Sequence, residues 1–175
     1  MNKIDELIDI SESMEPTSEG TLKKCYIIGN YALLKGYYNE TELKETAERT
    51  QLLKAKGVRI VPVLDYQKIL PEEKNEYNPK LYACYILQEK VNGTELYKNK
   101  DKASFINEIC SIAKEEQSFY DKFAADWLAV KNLGLEIDSK PRNFFYEKGK
   151  GINFIDNTYY RNRDKKAEKE NSFAF

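Results

Sequence analysis

The hydrophobic period changes part-way along the chain, and neither an all-helical nor an all-strand fold accommodates the change. Up to about residue 90 the apolar residues fall in short runs of strand length. Leu7–Ile10 is one short apolar stretch, Leu22–Ile28 a second, and Tyr31–Tyr38 a third, with Gly29-Asn30 placed as a hairpin turn. Arg59–Asp65 and Lys80–Glu89 complete five predicted strands, the last two joined by the polar stretch Glu72–Pro79. One helix interrupts them: over Thr41–Lys56, Leu43, Ala47, Leu52 (or Gln51) and Ala55 recur at helical spacing, and Gly57 is placed to stop it. From Asp101 to Leu133 the steps become three and four residues, through Phe105, Ile109, Ile112, Phe119, Phe123, Trp127 and Val130. Phe144–Tyr146 and Ile152–Ile155 then flank Lys148-Gly149-Lys150-Gly151, a hairpin pattern, and Arg161–Glu170 is largely charged. The layout is α+β.

Composition excludes several function classes. The 28 Lys and Arg against 29 Asp and Glu leave no basic excess for a dedicated nucleic-acid binder. No apolar run reaches membrane-spanning length, and the first residues carry no cleavable leader pattern, so a soluble, cytoplasmic protein is expected. Cys25, Cys84 and Cys110 are odd in number and scattered, which reads as reduced thiols. The chain has no histidine. That removes Ser-His-Asp and Cys-His catalysis and nearly all catalytic zinc sites. Chemistry is left to carboxylates, lysines, hydroxyls or an oxygen-ligated metal.

The segment Asp138-Ser139-Lys140-Pro141-Arg142-Asn143, followed after a predicted hairpin by Ile155-Asp156, carries such chemistry. It resembles the catalytic loop and metal-binding hairpin of the protein-kinase superfamily, in the Asp-x-Lys-Pro-x-Asn version of Ser/Thr kinases. The resemblance implies a protein-kinase-like two-lobed fold with a five-stranded N-lobe and a strongly reduced C-lobe. Its divisions would be residues 1–90 as N-lobe, 91–100 as hinge, 101–160 as C-lobe and 161–175 as a charged tail. It implies ATP and Mg²⁺ as cofactors. Asp138 would be the catalytic base, Lys140 a phosphate contact, and Asn143 and Asp156 the metal ligands. Ala32-Leu33-Leu34-Lys35 resembles the Val-Ala-Ile-Lys strand, so Lys35 would hold the nucleotide phosphates with Glu48 as its ion-pair partner, Glu45 being the alternative. Gly20 would lie in the phosphate-covering loop, and Glu89 and Val91 in the hinge that reads adenine.

The departures from the family pattern shape the functional expectation. The loop at Gly20 keeps one glycine, Leu33 stands where a small residue packs on adenine, and Glu136-Ile137 replaces His-Arg. Asn157-Thr158 replaces Phe-Gly after Asp156, and only 19 residues follow Asp156, too few for an activation segment. Reduced bacterial effector kinases, delivered into host cells, are similar in this respect. The expected function is phosphoryl transfer to a protein Ser/Thr hydroxyl, with a protein substrate or activating protein partner. A pseudokinase-type interaction module and an aminoglycoside-type small-molecule phosphotransferase are the alternatives. Oligomeric state stays open.

Overall fold

The computed structural model describes residues 2–19, 23–69, 74–76, 78–95, 102–137, 143–155 and 158–160. The chain divides into two compact units: Met1–Leu52 with Val61–Val91, and Leu53–Ile60 with Asn92–Phe175.

The first unit opens with a helix where the sequence reading placed a strand. Helix α1 spans Lys3–Glu12. Asn2 caps it, accepting from Lys3 N at 2.7 Å, while its own N–H donates to the Asp5 carboxylate at 3.2 Å, a reciprocal capping box. Ile4, Leu7 and Ser11 recur at three and four residues and are buried. Strands β1 (Ser18–Glu19), β2 (Lys23–Ile28) and β3 (Tyr31–Tyr38) follow. The turn between β2 and β3 has two residues, and Gly29 takes φ 58°, a left-handed conformation that favours glycine. Helix α2 (Glu40–Ala55) starts at Asn39, whose side chain accepts from Thr41 N and Glu42 N, and ends at Gly57, with φ 80°.

Strands β4 (Val63–Lys68) and β5 (Tyr82–Glu89) complete an antiparallel sheet in the order β1-β2-β3-β5-β4. β4 begins four residues later than its apolar run suggests. Pro62 has no N–H to offer a ladder, and Arg59–Ile60 pair elsewhere, Ile60 forming a parallel bridge with Phe154. The two faces of the sheet carry different helices. On one, Ile4 and Leu7 of α1 pack with Tyr26, Leu33, Tyr85 and Leu87. On the other, Leu43 and Ala47 of α2 pack with Val63, Cys84 and Ile86, joined by Leu34 and Tyr38. Residues of β5 from Ala83 to Gln88 are all buried, because both of its faces are covered.

In the second unit β6 (Thr94–Glu95) pairs with β8 (Phe144–Glu147), which forms a hairpin with β9 (Gly151–Phe154); β7 (Leu135–Ile137) pairs with β10 (Thr158–Tyr160). The predicted single helical run is two helices, α3 (Lys102–Glu115) and α4 (Gln117–Asn132). Glu116 breaks it with a non-helical φ of −139°. The core gathers Leu53, Val58, Ile60, Ile112, Val130, Leu135, Phe144, Ile152 and Phe154. Phe123 lies 5.8 Å from Phe144 and 5.5 Å from Phe154, and Trp127 stacks on Phe144 at 6.0 Å. Such aromatic contacts add about 0.5–1.5 kcal/mol each beyond area burial. Among the described residues no helix is long and apolar enough to cross a membrane.

Candidate active site

The strand pairings of the second unit frame the motif. β7 ends at Ile137, immediately before Asp138, and β10 begins at Thr158, two residues after Asp156; Ile137 and Thr158 are register partners. β8 follows Asn143, and β9 ends just before Ile155. Phe144 pairs with Phe154, and Ile155 N donates to Asn143 O at 3.0 Å. Two antiparallel pairings therefore hold together the ends of the segments that carry the acids in the sequence. Asn143 itself is 4% exposed. Asp138, Lys140 and Asp156 lie outside the described residues, as do Gly20 and the charged tail.

A buried acid that the sequence reading missed supports this hairpin. Asp126 on α4 is 3% exposed, accepts from Arg59 N at 3.0 Å and pairs with Lys122. Lys122 also donates to Gly57 O at 2.8 Å. Arg59 O in turn accepts from Phe154 N at 2.9 Å, and its guanidinium donates to Asn153 Oδ1 at 3.3 Å. Asp126 thus fixes the segment that binds the edge of β9. The signal was available: Asp126 sits within the apolar spacing of Phe123, Trp127 and Val130, where a solvated acid has no place.

Tyr146 on β8 donates to the Glu116 carboxylate at the helix break. Burial, that hydrogen bond and the charges of Glu116 and Glu115 push its phenol up to about 12. Gly93, in the connector, lies against the same residue, since a Cβ there would meet Tyr146 O at 2.8 Å.

In the first unit the structure does not bring Lys35 and Glu48 together. Lys35 shares a strand face with Leu33, which is fully buried under α1, and its ammonium lies 5.5 Å from the Tyr85 ring centre. Glu48 is exposed on α2, which packs on the opposite face. The alternative, Glu45, lies 3.5 Å from Arg49. Glu89 closes β5 opposite Tyr31, Lys90 N donates to Asn30 O at 2.9 Å, and Val91 follows, half-buried. Among the described residues no three His, Cys, Asp or Glu side chains gather where they could hold a metal ion. The amide oxygen of Asn143 and a carboxylate at Asp156 are hard donors of the kind Mg²⁺ takes.

No protein-family model matches the sequence, and no curated protein matches it. Its structure is similar to that of WbdD crystallised with the kinase inhibitor LY294002, at a TM-score of 0.45 and 11% identity over 90% of this chain and 36% of that one. It is similar to the bifunctional kinase-methyltransferase WbdD, at 0.40 and 12% over 77% of this chain and 29% of that one. It is similar to choline kinase LicA from Streptococcus pneumoniae, at 0.35 and 14% over 89% of this chain and 68% of that one. The chain spans about a third of the length of the WbdD chains it matches.

Proposed function

We propose that this chain is a phosphotransferase of the protein-kinase type, moving a phosphoryl group from Mg²⁺-bound ATP to a protein Ser or Thr hydroxyl. The observation that carries the reading is the pairing of Ile137 with Thr158 and of Asn143 with Ile155, which draws the ends of the two motif segments together. A sheet of five antiparallel strands with a helix between the third and fourth supports it as well. Phosphoryl transfer asks for positioning and charge neutralisation more than for a strong base, and a site without histidine can supply both. In this reading Asp138 orients the attacking hydroxyl and accepts its proton. Lys140 contacts the transferred phosphate, Asn143 and Asp156 hold the metal, and the backbone of Glu89 and Val91 meets adenine.

Calorimetry of Mg²⁺-ATP with the parent chain and Asp156→Asn tests it. Metal-dependent binding that Asp156→Asn abolishes, with transfer lost in Asp138→Asn, is the expected result. Absence of binding at millimolar ATP would refute it. A panel of protein and small-alcohol acceptors separates the two substrate classes. The place of Lys35, away from α2, favours a second reading as a protein-interaction module, in which nucleotide binds without transfer or not at all.

A further inference from the structure

We infer that the lysine that contacts the nucleotide phosphates is Lys23 on β2, and not Lys35 on β3; the inference rests on the phosphotransferase reading. In the kinase pattern the helix after the third strand supplies the carboxylate that positions this lysine. The lysine must therefore project from the sheet face on which that helix packs. Here that helix is α2, and the face it packs on is marked by Leu34, Cys84 and Ile86. Side chains alternate along a strand, so Leu34, Gly36 and Tyr38 share this face while Leu33 and Lys35 point the other way. The packing agrees with the alternation: Leu34 and Tyr38 join the α2 cluster, and Leu33 joins the α1 cluster.

Directly opposed residues of an antiparallel pair project to the same side. Lys23 opposes Gly36, so it stands on the α2 face. Its ammonium lies 5.5 Å from the ring centre of Tyr38, a residue of that face, which places the charge there independently of register. Gly36, buried opposite Lys23, brings no side chain of its own. On this face Lys23, Cys25, Ala32 and Leu34 are half-buried, while Gly36, Cys84 and Ile86 are buried. Ala32, opposite Gln88, is then the small residue available to adenine, in place of Leu33. Lys35 faces Tyr85 and opposes Lys24 on the side that α1 closes.

The test titrates Mg²⁺-ATP and, separately, adenosine into the parent chain, Lys23→Ala, Lys23→Arg and Lys35→Ala, after unfolding midpoints show each variant folded. Lys23→Ala should weaken ATP at least tenfold and leave adenosine within twofold; Lys23→Arg should recover part of the loss. Lys35→Ala should bind ATP within twofold of the parent. An equal loss of ATP and adenosine in Lys23→Ala marks a structural role and overturns the assignment. A tenfold ATP loss in Lys35→Ala, alone or with Lys23→Ala, overturns it too, as does unchanged binding in Lys23→Ala. A parent chain that binds no ATP refutes the phosphotransferase reading itself, and this assignment with it.

Discussion

Replacing Asp126 by alanine removes one carboxylate that serves two partners, and their exposures set the cost. The Arg59 amide, 3.0 Å away, loses this acceptor. An orphaned buried donor that has lost a charged acceptor costs about 1.5–3 kcal/mol. The second partner, Lys122, has a side chain 44% exposed, so it turns to water and contributes no more than about 1 kcal/mol. The total, about 3 kcal/mol, falls at the low end of the roughly 3–5 kcal/mol for breaking a fully buried ion pair. For a chain of this size that lowers the thermal midpoint by roughly 6–12 °C. Circular dichroism melts of the parent, Asp126→Ala, Asp126→Asn and Lys122→Met measure it. Asp126→Asn keeps an acceptor for the Arg59 amide and should lose about half as much. A midpoint within 1 °C of the parent for Asp126→Ala, at about the precision of a melt, would refute the assignment of the backbone bond. Lys122→Met also removes the bond to Gly57 O and leaves the buried Asp126 charge without its lysine, so it too should lower the midpoint.

Gly93→Ala drives a Cβ into Tyr146 O at 2.8 Å and should destabilise by about 1–3 kcal/mol, read from urea midpoints; an unchanged midpoint would show that the connector yields freely. The Tyr146 phenol is pushed up to about 12 from 10.0, so the folded chain holds a proton that the unfolded chain releases. Its contribution to stability is whole below pH 10 and is lost as pH rises towards 12; Tyr146→Phe should flatten that alkaline decline, and parallel curves for the two proteins would sink the claim. Burial raises the thiols of Cys25 and Cys84, whereas Cys110 is exposed. A disulfide reagent at neutral pH should therefore modify Cys110 roughly tenfold or more faster than the other two, with all three equal in denaturant.

The turns and stops were legible in the sequence because they rest on local chemistry. Gly29-Asn30, Gly57 and the Lys148–Gly151 turn all end elements where the residues say they should. Helix α1 is not legible in Leu7–Ile10 alone; Asn2, Asp5 and the three- and four-residue steps from Ile4 to Ser11 carry the helical signal together. The start of β4 depends on the distant partner Phe154, and the break at Glu116 is a helix end that no glycine or proline announces. Beside the motif, the hairpin that follows Asn143 lies where the spacing puts it. The face of Lys35 is not legible, because a motif match aligns letters while a strand assigns faces: Leu33 and Lys35 project together, and only the packing shows that α1 covers that side. Asp126 is a tertiary feature whose partners lie far along the chain.

Strand β5, covered on both faces and lying between β3 and β4, is the last strand of its sheet to be made. About 50 residues separate the end of β3 at Tyr38 from the end of β5 at Glu89. At ribosomal rates of roughly 5–20 residues per second, that is an interval of about 3–10 seconds. Through it the nascent β2–β3 hairpin carries Leu33 and Leu34 on opposite faces without its central neighbour, so the chain presents an unpaired, apolar β3 edge to whatever surrounds the ribosome. The time for which a chaperone would need to shield this protein is therefore written into its strand order.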